Sequence, residues 1–280
     1  MIFIGAALAL FIGLSLGIFG AGGSILTVPL LHYVLGLDAQ TATGASLLIV
    51  GSTAMVGTIL NARKKLVAFQ QGILFAVPSF FGVFGARTLL LPSLPQSIFL
   101  APNFSIQRDT FILIFFAVVM ILAATAMIKT SRKKNGSQPA QQEPEQINKD
   151  RSQASNRPGI ARALTALQGF FIGVLSGFVG AGGGFLIIPA LNIMLGIEMR
   201  RAIATSLFII AMNSAVGVAG DLVSGNQYPI GVVSLVAGSS LAGMFVGTKL
   251  ADGWDSSKLK PAFGIFILVI GAFIIAKELL

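Results

Sequence analysis

The sequence contains no cysteine, and its single histidine is His32. Without cysteine, disulfide bonds and thiol redox chemistry are excluded. Zinc sites are built from clusters of cysteine and histidine, so one histidine does not make such a site. No pairing of a nucleophile with a base is visible in the sequence either. We therefore expect no metal site, no cofactor and no enzymatic activity.

Charged residues are also scarce. They make up 10% of the chain, whereas hydrophobic residues make up 55%, and the mean hydropathy is +0.87. Soluble domains carry about 25% charged residues. This composition excludes an ordinary soluble domain and predicts an all-α polytopic membrane protein.

The apolar residues fall into two sets of five segments. Most segments approach the roughly 20 residues that a membrane-spanning helix needs, but the second segment of each set is too short to cross comfortably. The first set lies at about 2–20, 24–37, 41–61, 66–91 and 109–128, and the second at about 160–180, 184–197, 200–220, 228–250 and 260–278.

The two sets are copies of each other. When residues 13–59 are placed on residues 173–219 without a gap, 17 of 47 positions are identical. The cluster Gly20-Ala21-Gly22-Gly23 returns as Gly180-Ala181-Gly182-Gly183, just before the short segment of each set. The sequence therefore predicts an internal duplication with broken or re-entrant short helices at the glycine clusters.

The distribution of basic residues predicts that the two repeats are inverted. The connection between the third and fourth segments carries Arg63, Lys64 and Lys65 in the first half, whereas residues 221–227 in the second half contain no lysine or arginine. Basic loops face the cytoplasm. If each short segment returns to the face from which the chain came, 16 of the 19 basic residues lie inside. This accounts for the +9 net charge without nucleic acid.

This topology predicts a multi-pass protein of the cell inner (cytoplasmic) membrane with both termini extracytoplasmic. We divide the chain into a first transmembrane repeat (1–128), a disordered basic cytoplasmic linker (129–159) and a second transmembrane repeat (160–280). The linker is rich in polar and charged residues and has too few apolar side chains to form a packed core.

The glycine clusters are the first candidate site. If Ser24 and Gly184 begin short helices, the free N–H groups at the two helix starts carry about +0.5 charge each and suit an oxyanion. Glycine tolerates positive φ and lets a ligand approach the backbone. Broken helices within inverted repeats are typical of secondary transporters. The alternative is close helix packing, which the small residues Gly13, Gly17, Gly173 and Gly177 favour.

Polar residues inside the apolar segments extend this site, because hydroxyl and amide groups can bind an anion without a buried charge. Serine and threonine in membrane helices also bond to their own backbone, so both interpretations stay open. The candidate substrate-binding residues are Gly20, Ala21, Gly22, Gly23, Ser24, Thr43, Ser46, Gly180, Ala181, Gly182, Gly183, Gly184, Thr205, Ser206 and Asn213.

Three further side chains are candidates for coupling or attraction. Histidine is the residue type that can change its charge near neutral pH, so His32 is a candidate for proton coupling, the alternative being a hydrogen-bonded interfacial side chain. Arg87 and Lys249 each follow a glycine near the end of a fourth segment, where they either attract anions at opposite mouths or extend to the membrane surface.

The repeated pattern resembles a known family. Each copy reads Gly-Xaa-Xaa-Gly-Ala-Gly-Gly-(Ser/Gly)-Xaa-Leu-Xaa-Xaa-Pro-Xaa-Leu, followed by Ala-Xaa-Xaa-Xaa-Ser-Leu. This resembles the TauE/SafE sulfite exporter family, also called the 4-toluene sulfonate uptake permease family (TSUP). The resemblance implies transport of sulfite or sulfonates across the membrane, in either direction. The first copy has Ser24 where the second has Gly184, which makes the half-sites unequal.

We therefore expect a secondary transporter that binds a small anion at a midplane site and works by alternating access. Its partners are the lipid bilayer, the anion and a coupling ion such as H⁺. A drug/metabolite-type carrier for another small organic anion is the alternative with the same two five-segment halves.

Overall fold

The computed structural model describes residues 2–20, 24–95, 97–101, 104–135, 158–180, 182–251 and 256–279. In these ranges the chain forms ten helices, five in each half. The first half contains α1 (Ile2–Phe19), α2 (Ser24–Pro29, continuing through Leu30–Val34), α3 (Ala39–Arg63), α4 (Phe69–Gly85, continuing through Ala86–Leu90) and α5 (Arg108–Asn135). The second half contains α6 (Pro158–Val179), α7 (Gly184–Pro189, continuing through Ala190–Met194), α8 (Met199–Val223), α9 (Ile230–Ala251) and α10 (Ser256–Leu279).

Helices α3, α4, α5, α8 and α9 are long and apolar enough to cross a membrane, while α1, α2 and α6 contain shorter apolar helices. The predicted fold class, an all-α polytopic membrane protein, is confirmed. One small element departs from it: the connection between α4 and α5 contains strands β1 (Ser97–Ala101) and β2 (Phe104–Gln107). They pair as an antiparallel hairpin with Ser97 opposite Gln107.

The linker prediction for residues 129–159 stays a prediction. Residues 136–157 lie outside the described part of the chain, and the helical boundaries on either side are Asn135 and Pro158.

Helix α2 returns to the face of the molecule from which α1 starts. A Cβ built on Gly5, near the start of α1, would lie 3.1 Å from the Leu35 side chain, which follows α2. Helix α3 then begins at Ala39, and the carboxylate of the preceding Asp38 caps it by accepting a hydrogen bond from the Thr41 N–H at 2.9 Å. We call this side of the molecule the Asp38 face, and the opposite side, where α3 ends, the Arg63 face.

Three hydrogen bonds show which other elements reach the Asp38 face. The Ala39 N–H at the start of α3 donates to Asp109 of α5 at 3.2 Å, and Gln40 donates to Asn226, just after α8, at 3.3 Å. The Tyr33 hydroxyl donates to Glu278 of α10 at 2.7 Å. The chain therefore enters α3 and α5 from this face and leaves α8 and α10 at it.

Three wide helical turns interrupt the regular hydrogen bonding. Two directly follow prolines in equivalent positions, Pro29 in α2 and Pro189 in α7, and proline has no N–H to donate. The third, Ala86–Leu90, ends α4, where the Leu91 N–H donates to the Ala86 carbonyl at 2.9 Å. Such turns are often found at functional sites. The equivalent helix α9 continues as a regular α-helix to Ala251.

The packing follows an inverted pseudo-twofold arrangement. Helices α3 and α8 cross antiparallel in the centre, where a Cβ on Gly51 would lie 2.6 Å from the Ser214 Cβ. Helix α1 packs along α9, and its equivalent α6 packs along α4, the equivalent of α9. Helices α5 and α10 form the remaining pair. The first helix of each half therefore packs against the fourth helix of the other half.

Glycine makes these two helix pairs possible. A Cβ on Gly13 or Gly17 of α1 would run into the backbone of Ser240 or Gly247 of α9. The equivalent Gly173 and Gly177 of α6 meet the backbone of Ser79 and Val83 of α4 in the same way. Close packing is therefore what these four glycines provide, as in small-residue seams between membrane helices generally.

This packing predicts unequal effects for two glycines on the same helix. A Cβ on Gly243 would run into the Leu10 carbonyl oxygen, whereas a Cβ on Gly238 has no heavy atom within 4 Å. Gly243→Ala should therefore lower Tm in detergent, since overpacking costs about 1–3 kcal/mol. The matched control Gly238→Ala should leave Tm equal or higher, because alanine favours the helix. Equal Tm values for both variants would contradict the described α1–α9 seam.

Candidate functional site

The first glycine cluster is described only at its edges. Ala21, Gly22 and Gly23 lie outside the described residues, and so does Ala181 in the second cluster. Gly20 has φ +65° and packs against α8, where its Cβ would lie 2.6 Å from the Ile203 side chain. The buried Ser24 begins α2, as the sequence predicts.

The second glycine cluster forms a break between α6 and α7. Gly180, Gly182 and Gly183 have φ of +73°, +64° and +65°, a backbone region that L side chains rarely adopt. The buried Gly184 then begins α7, also as predicted. The Ser46 hydroxyl of α3 donates a hydrogen bond to the Gly180 carbonyl. The break is therefore fixed against the middle helix of the first repeat.

Gly20 and Gly180 lie at opposite faces and do not meet at the midplane. Gly20 packs on Ile203 and Gly180 on Thr43, which are equivalent positions about one turn inside the starts of α8 and α3. Gly182 lies deeper, since its Cβ would contact Ile210 and Val50 in the middle of these helices. Helices α2 and α7 themselves touch. Near the centre of the protein, the contacts are therefore made by Gly182 and by the short helices α2 and α7.

Buried polar side chains surround Gly182 and Gly183. A Cβ on Gly183 would lie 2.6 Å from the Ser176 hydroxyl of α6, and a Cβ on Gly182 would lie 3.5 Å from the Ser214 hydroxyl of α8. Within the described residues, neither hydroxyl has a hydrogen-bond partner. The neighbouring Asn213 donates to Ser79 of α4 at 2.8 Å, but its carbonyl oxygen is unpaired there. We call Ser176, Gly182, Gly183, Asn213 and Ser214 the central cluster.

Other predicted hydroxyls bond to the helix backbone. Ser206 donates to the Ile203 carbonyl at 2.8 Å, and Thr205 donates to the Arg201 carbonyl at 2.7 Å. Thr205 also accepts a hydrogen bond from the Ala68 N–H at 3.0 Å, which ties α8 to the start of α4 near the Arg63 face. The structure places Thr205 and Ser206 away from the central cluster, in positions that support the backbone.

Arg87 is buried near the Asp38 face, whereas the sequence left open either an exposed position at a mouth or a side chain extending to the membrane surface. Its side chain is 0% exposed and forms an ion pair with Asp221 of α8, with 3.1 Å between Nη1 and Oδ2. The wide turn Ala86–Leu90 carries Arg87 against α8, where Gly220 leaves room: a Cβ there would lie 3.1 Å from the Arg87 Cβ. Arg87 Nε and Nη2 have no hydrogen-bond partner within the described chain.

Asp221 is the residue that the sequence analysis missed. It was assigned to a connecting loop, but α8 continues to Val223 and buries it. Tyr228 donates to its Oδ2 at 2.6 Å and Asn226 donates to its Oδ1 at 3.2 Å. Burial, together with the hydrogen bond to Asp221, raises the pKa of Tyr228 well above its ordinary value, so this phenol keeps its proton.

We call Thr43, Arg87, Asp221, Asn226 and Tyr228 the Arg87 cluster. Thr43 belongs to it because Arg87 Nη1 lies 3.4 Å from its hydroxyl oxygen. Since Thr43 also packs against Gly180, this residue connects the Arg87 cluster to the second break. Seven residues of α8 separate Ser214 from Asp221, a rise of about 10 Å. The two clusters therefore form a polar line beside the second break.

The two remaining candidates differ from Arg87. His32 Nδ1 bonds to the Leu37 carbonyl at 2.8 Å, and the equivalent Asn192 donates to the Ile197 carbonyl at 2.9 Å. Because asparagine makes the same bond without titrating, the structure gives His32 a role in fixing the turn after α2. Lys249 is exposed on α9.

The polar line is concentrated in the second repeat, whereas the glycine clusters from which the site was predicted occur in both repeats. Its members Ser176, Ser214 and Asp221 correspond by the repeat offset to Leu16, Ala54 and Asn61. The sequence signal that could have identified these residues is therefore the mismatch between the two repeats at their positions. Among the described residues, no group of three or more histidine, aspartate or glutamate side chains could hold a metal ion.

Comparison with known proteins identifies the family. The model of the family described as "Sulfite exporter TauE/SafE" matches residues 5–274. A probable membrane transporter protein of Xylella fastidiosa (strain 9a5c) is 28% identical, with 95% of this chain and 92% of the relative covered. The probable membrane transporter protein YunE of Bacillus subtilis (strain 168) is 26% identical, with 91% and 90% covered.

A shorter similarity extends to an archaeon. The probable membrane transporter protein MJ0441 of Methanocaldococcus jannaschii is 34% identical over 125 residues, with 41% of this chain and 45% of the relative covered. No solved structure matches the chain. The glycine–proline repeat, the helical membrane fold and the family match agree, and the chain belongs to the TauE/SafE sulfite exporter family of probable membrane transporters.

Proposed function

We propose that this protein is a secondary transporter of sulfite or organosulfur anions, and that the anion binds along the polar line formed by the central cluster and the Arg87 cluster. The buried Arg87 guanidinium carries this proposal, because two of its nitrogen donors have no partner in the described chain. Ionisable residues inside membrane helices are costly and mark substrate pathways by default.

The chemistry of the free donors suits an oxyanion. A guanidinium presents its donors in a planar fork that fits two oxygens of one anionic group. In Arg87, Nη1 is engaged by Asp221, which leaves Nε and Nη2 for such a ligand. Sulfite and sulfonate groups offer adjacent oxygens of this kind. The name of the family supports sulfur oxyanions as the substrate class, whereas the fork by itself also accepts a carboxylate.

The central cluster supplies neutral donors farther along the path. The Ser176 and Ser214 hydroxyls are buried, unpaired within the described chain and close to the glycines of the second break. Hydroxyls can donate to an anion without adding a buried charge. We propose that the anion passes between the Arg87 cluster and these hydroxyls as the protein alternates between states open to either face.

The same reasoning gives a location and an energy source. We propose the cell inner membrane, with the basic Arg63 face and the linker in the cytoplasm and the Asp38 face outside, because basic connections face the cytoplasm. Relatives are named transporters, which favours transport without catalysis. An ion gradient or the gradient of the substrate itself then drives net movement.

The proposed function is tested by exchange. Labelled sulfite is offered to proteoliposomes preloaded with unlabelled sulfite, in parallel with sulfoacetate, thiosulfate, sulfate or acetate as competitors. We expect saturable exchange that sulfur oxyanions inhibit and acetate does not. Folded protein that gives no sulfite exchange would refute the proposed substrate and favour a drug/metabolite-type carrier for another organic anion.

Arg87 and Lys249 provide a matched pair of variants. Arg87→Gln should reduce sulfite exchange by about 30-fold or more, since loss of a buried charge contact costs at least about 2 kcal/mol. Lys249→Gln, which changes an exposed basic residue near the end of the corresponding helix α9, should keep exchange close to the original rate. Initial rates in proteoliposomes with equal amounts of folded protein give the comparison.

A double variant separates binding from folding. Arg87→Gln alone leaves Asp221 as an unpaired buried charge, which is itself strongly destabilising. Arg87→Gln combined with Asp221→Asn removes both charges and should restore Tm without restoring exchange. Sulfite exchange by this double variant would rule out Arg87 as a substrate ligand.

The hydroxyls of the central cluster should affect affinity. Ser176→Ala and Ser214→Ala each remove one free donor, and each should raise KM by about tenfold if the lost hydrogen bond to the anion is worth about 1.5 kcal/mol. The matched control is Ser206→Ala, whose hydroxyl donates to its own helix. A KM unchanged in both test variants would exclude the central cluster from the binding path.

A further inference from the structure

The net charge of the buried site constrains what can be transported. In the described structure the Arg87 guanidinium and the Asp221 carboxylate are both buried, and together they sum to zero. Adding a monoanion at the free Arg87 donors would leave one uncompensated negative charge among buried groups. Because an isolated buried charge is very costly, the loaded site requires a compensating positive charge.

The surroundings of Asp221 indicate where that charge enters. From α4, Arg87 faces the carboxylate. From the connection after α8, Asn226 and Tyr228 face it. From α3, Gly44 lies so close that its Cβ would be 2.7 Å from Oδ2. Other acids at this face have partners of their own: Asp38 accepts from the Thr41 N–H, Asp109 from the Ala39 N–H and Glu278 from the Tyr33 hydroxyl.

We propose that Asp221 is the proton-binding site of the transport cycle, so that one proton crosses the membrane with each monoanion in the same direction. This rests on the proposed function. In the empty carrier Arg87 pairs with Asp221. When an anion binds the free donors of Arg87, Asp221 accepts a proton from the solution on the open side and becomes a neutral carboxylic acid. The site is neutral in both states, and the proton leaves when the anion does.

A proton suits this site better than a metal cation. The carboxylate oxygens of Asp221 already receive hydrogen bonds from three donors, the side chains of Arg87, Asn226 and Tyr228. Hard cations are bound by several oxygen ligands instead. The phenol of Tyr228 both donates and accepts, so it can donate to the carboxylate and accept from the carboxylic acid. The cluster can therefore hold either protonation state of Asp221 without an added ligand.

The test uses the full-length protein in proteoliposomes and labelled 4-toluenesulfonate, whose charge is constant over the working pH range. Potassium and valinomycin hold the membrane potential at zero, and an internal pH dye reports proton entry. The wild-type protein should take up one proton per anion. A gradient of one pH unit, acid outside, should give about tenfold accumulation, because one pH unit is worth a factor of ten.

Asp221→Asn mimics the neutral acid and cannot exchange its proton. Accumulation of toluenesulfonate driven by the pH gradient should fall in this variant from about tenfold to about onefold, and the exchange that it retains at equal pH, at whatever rate, should not depend on pH. His32→Asn is the matched control for the rival titrating side chain, because Asn192 already makes the equivalent hydrogen bond. It should keep the full tenfold accumulation.

Each outcome has one meaning. Anion uptake by the wild-type protein without proton entry, or uptake that follows a sodium gradient, would overturn the proposal even if Asp221→Asn fails to fold. Accumulation retained by Asp221→Asn, or lost in folded His32→Asn, would also overturn it. If the wild-type protein exchanges neither toluenesulfonate nor sulfite, the proposed function itself fails, which is a separate result.

Discussion

The buried ion pair between Arg87 and Asp221 is the interaction on which the site depends. Taking two charges out of water costs several kcal/mol each, and close pairing repays this only when the geometry and the added hydrogen bonds are good. The structure meets these demands with glycines: Gly220 leaves space for the Arg87 Cβ, and Gly44 leaves space for the Asp221 carboxylate. The wide turn at the end of α4 carries the arginine inward. Even so, two guanidinium nitrogens lack partners in the described chain, and this incomplete pairing fits a group whose remaining partner is a ligand.

The sequence predicted most of the fold. The ten helices, the starts of α2 and α7 at Ser24 and Gly184, and the return of α2 to its original face follow from segment lengths, glycine clusters and the duplication. These features are local, or they are repeated along the chain. The β1–β2 hairpin was not predicted, although Pro102-Asn103 is a turn pattern and Phe104-Ser105-Ile106-Gln107 alternates apolar and polar residues.

Less of the candidate site could be predicted, because burial of a charged side chain depends on distant residues. Thr205 and Ser206 were predicted as ligands because they are polar residues in an apolar segment, but both hydroxyls donate to the backbone of their own helix. The unpaired hydroxyls of Ser176 and Ser214 occur at positions where the second repeat has serine and the first repeat has an apolar residue. A duplicated scaffold can keep equivalent packing in both halves while one half changes to carry the polar groups. Mismatches within an internal repeat are therefore the better guide to such a site.

The packing also limits which parts can move during transport. The simplest form of alternating access would rock one sequence repeat against the other, but α1 packs on α9 and α6 packs on α4 through glycines that meet backbone directly. Moving the repeats apart would open both seams and expose backbone that only close contact covers. Rigid bodies that keep each seam intact must mix the halves, with α1 moving with α9 and α6 with α4.

The Arg87 cluster joins α4 to α8 and the connection that leads into α9, so it spans two such bodies. An anion at the free Arg87 donors, with a proton on Asp221, would weaken the ion pair and loosen that connection, so the protonation that keeps the site neutral would also couple binding to the motion.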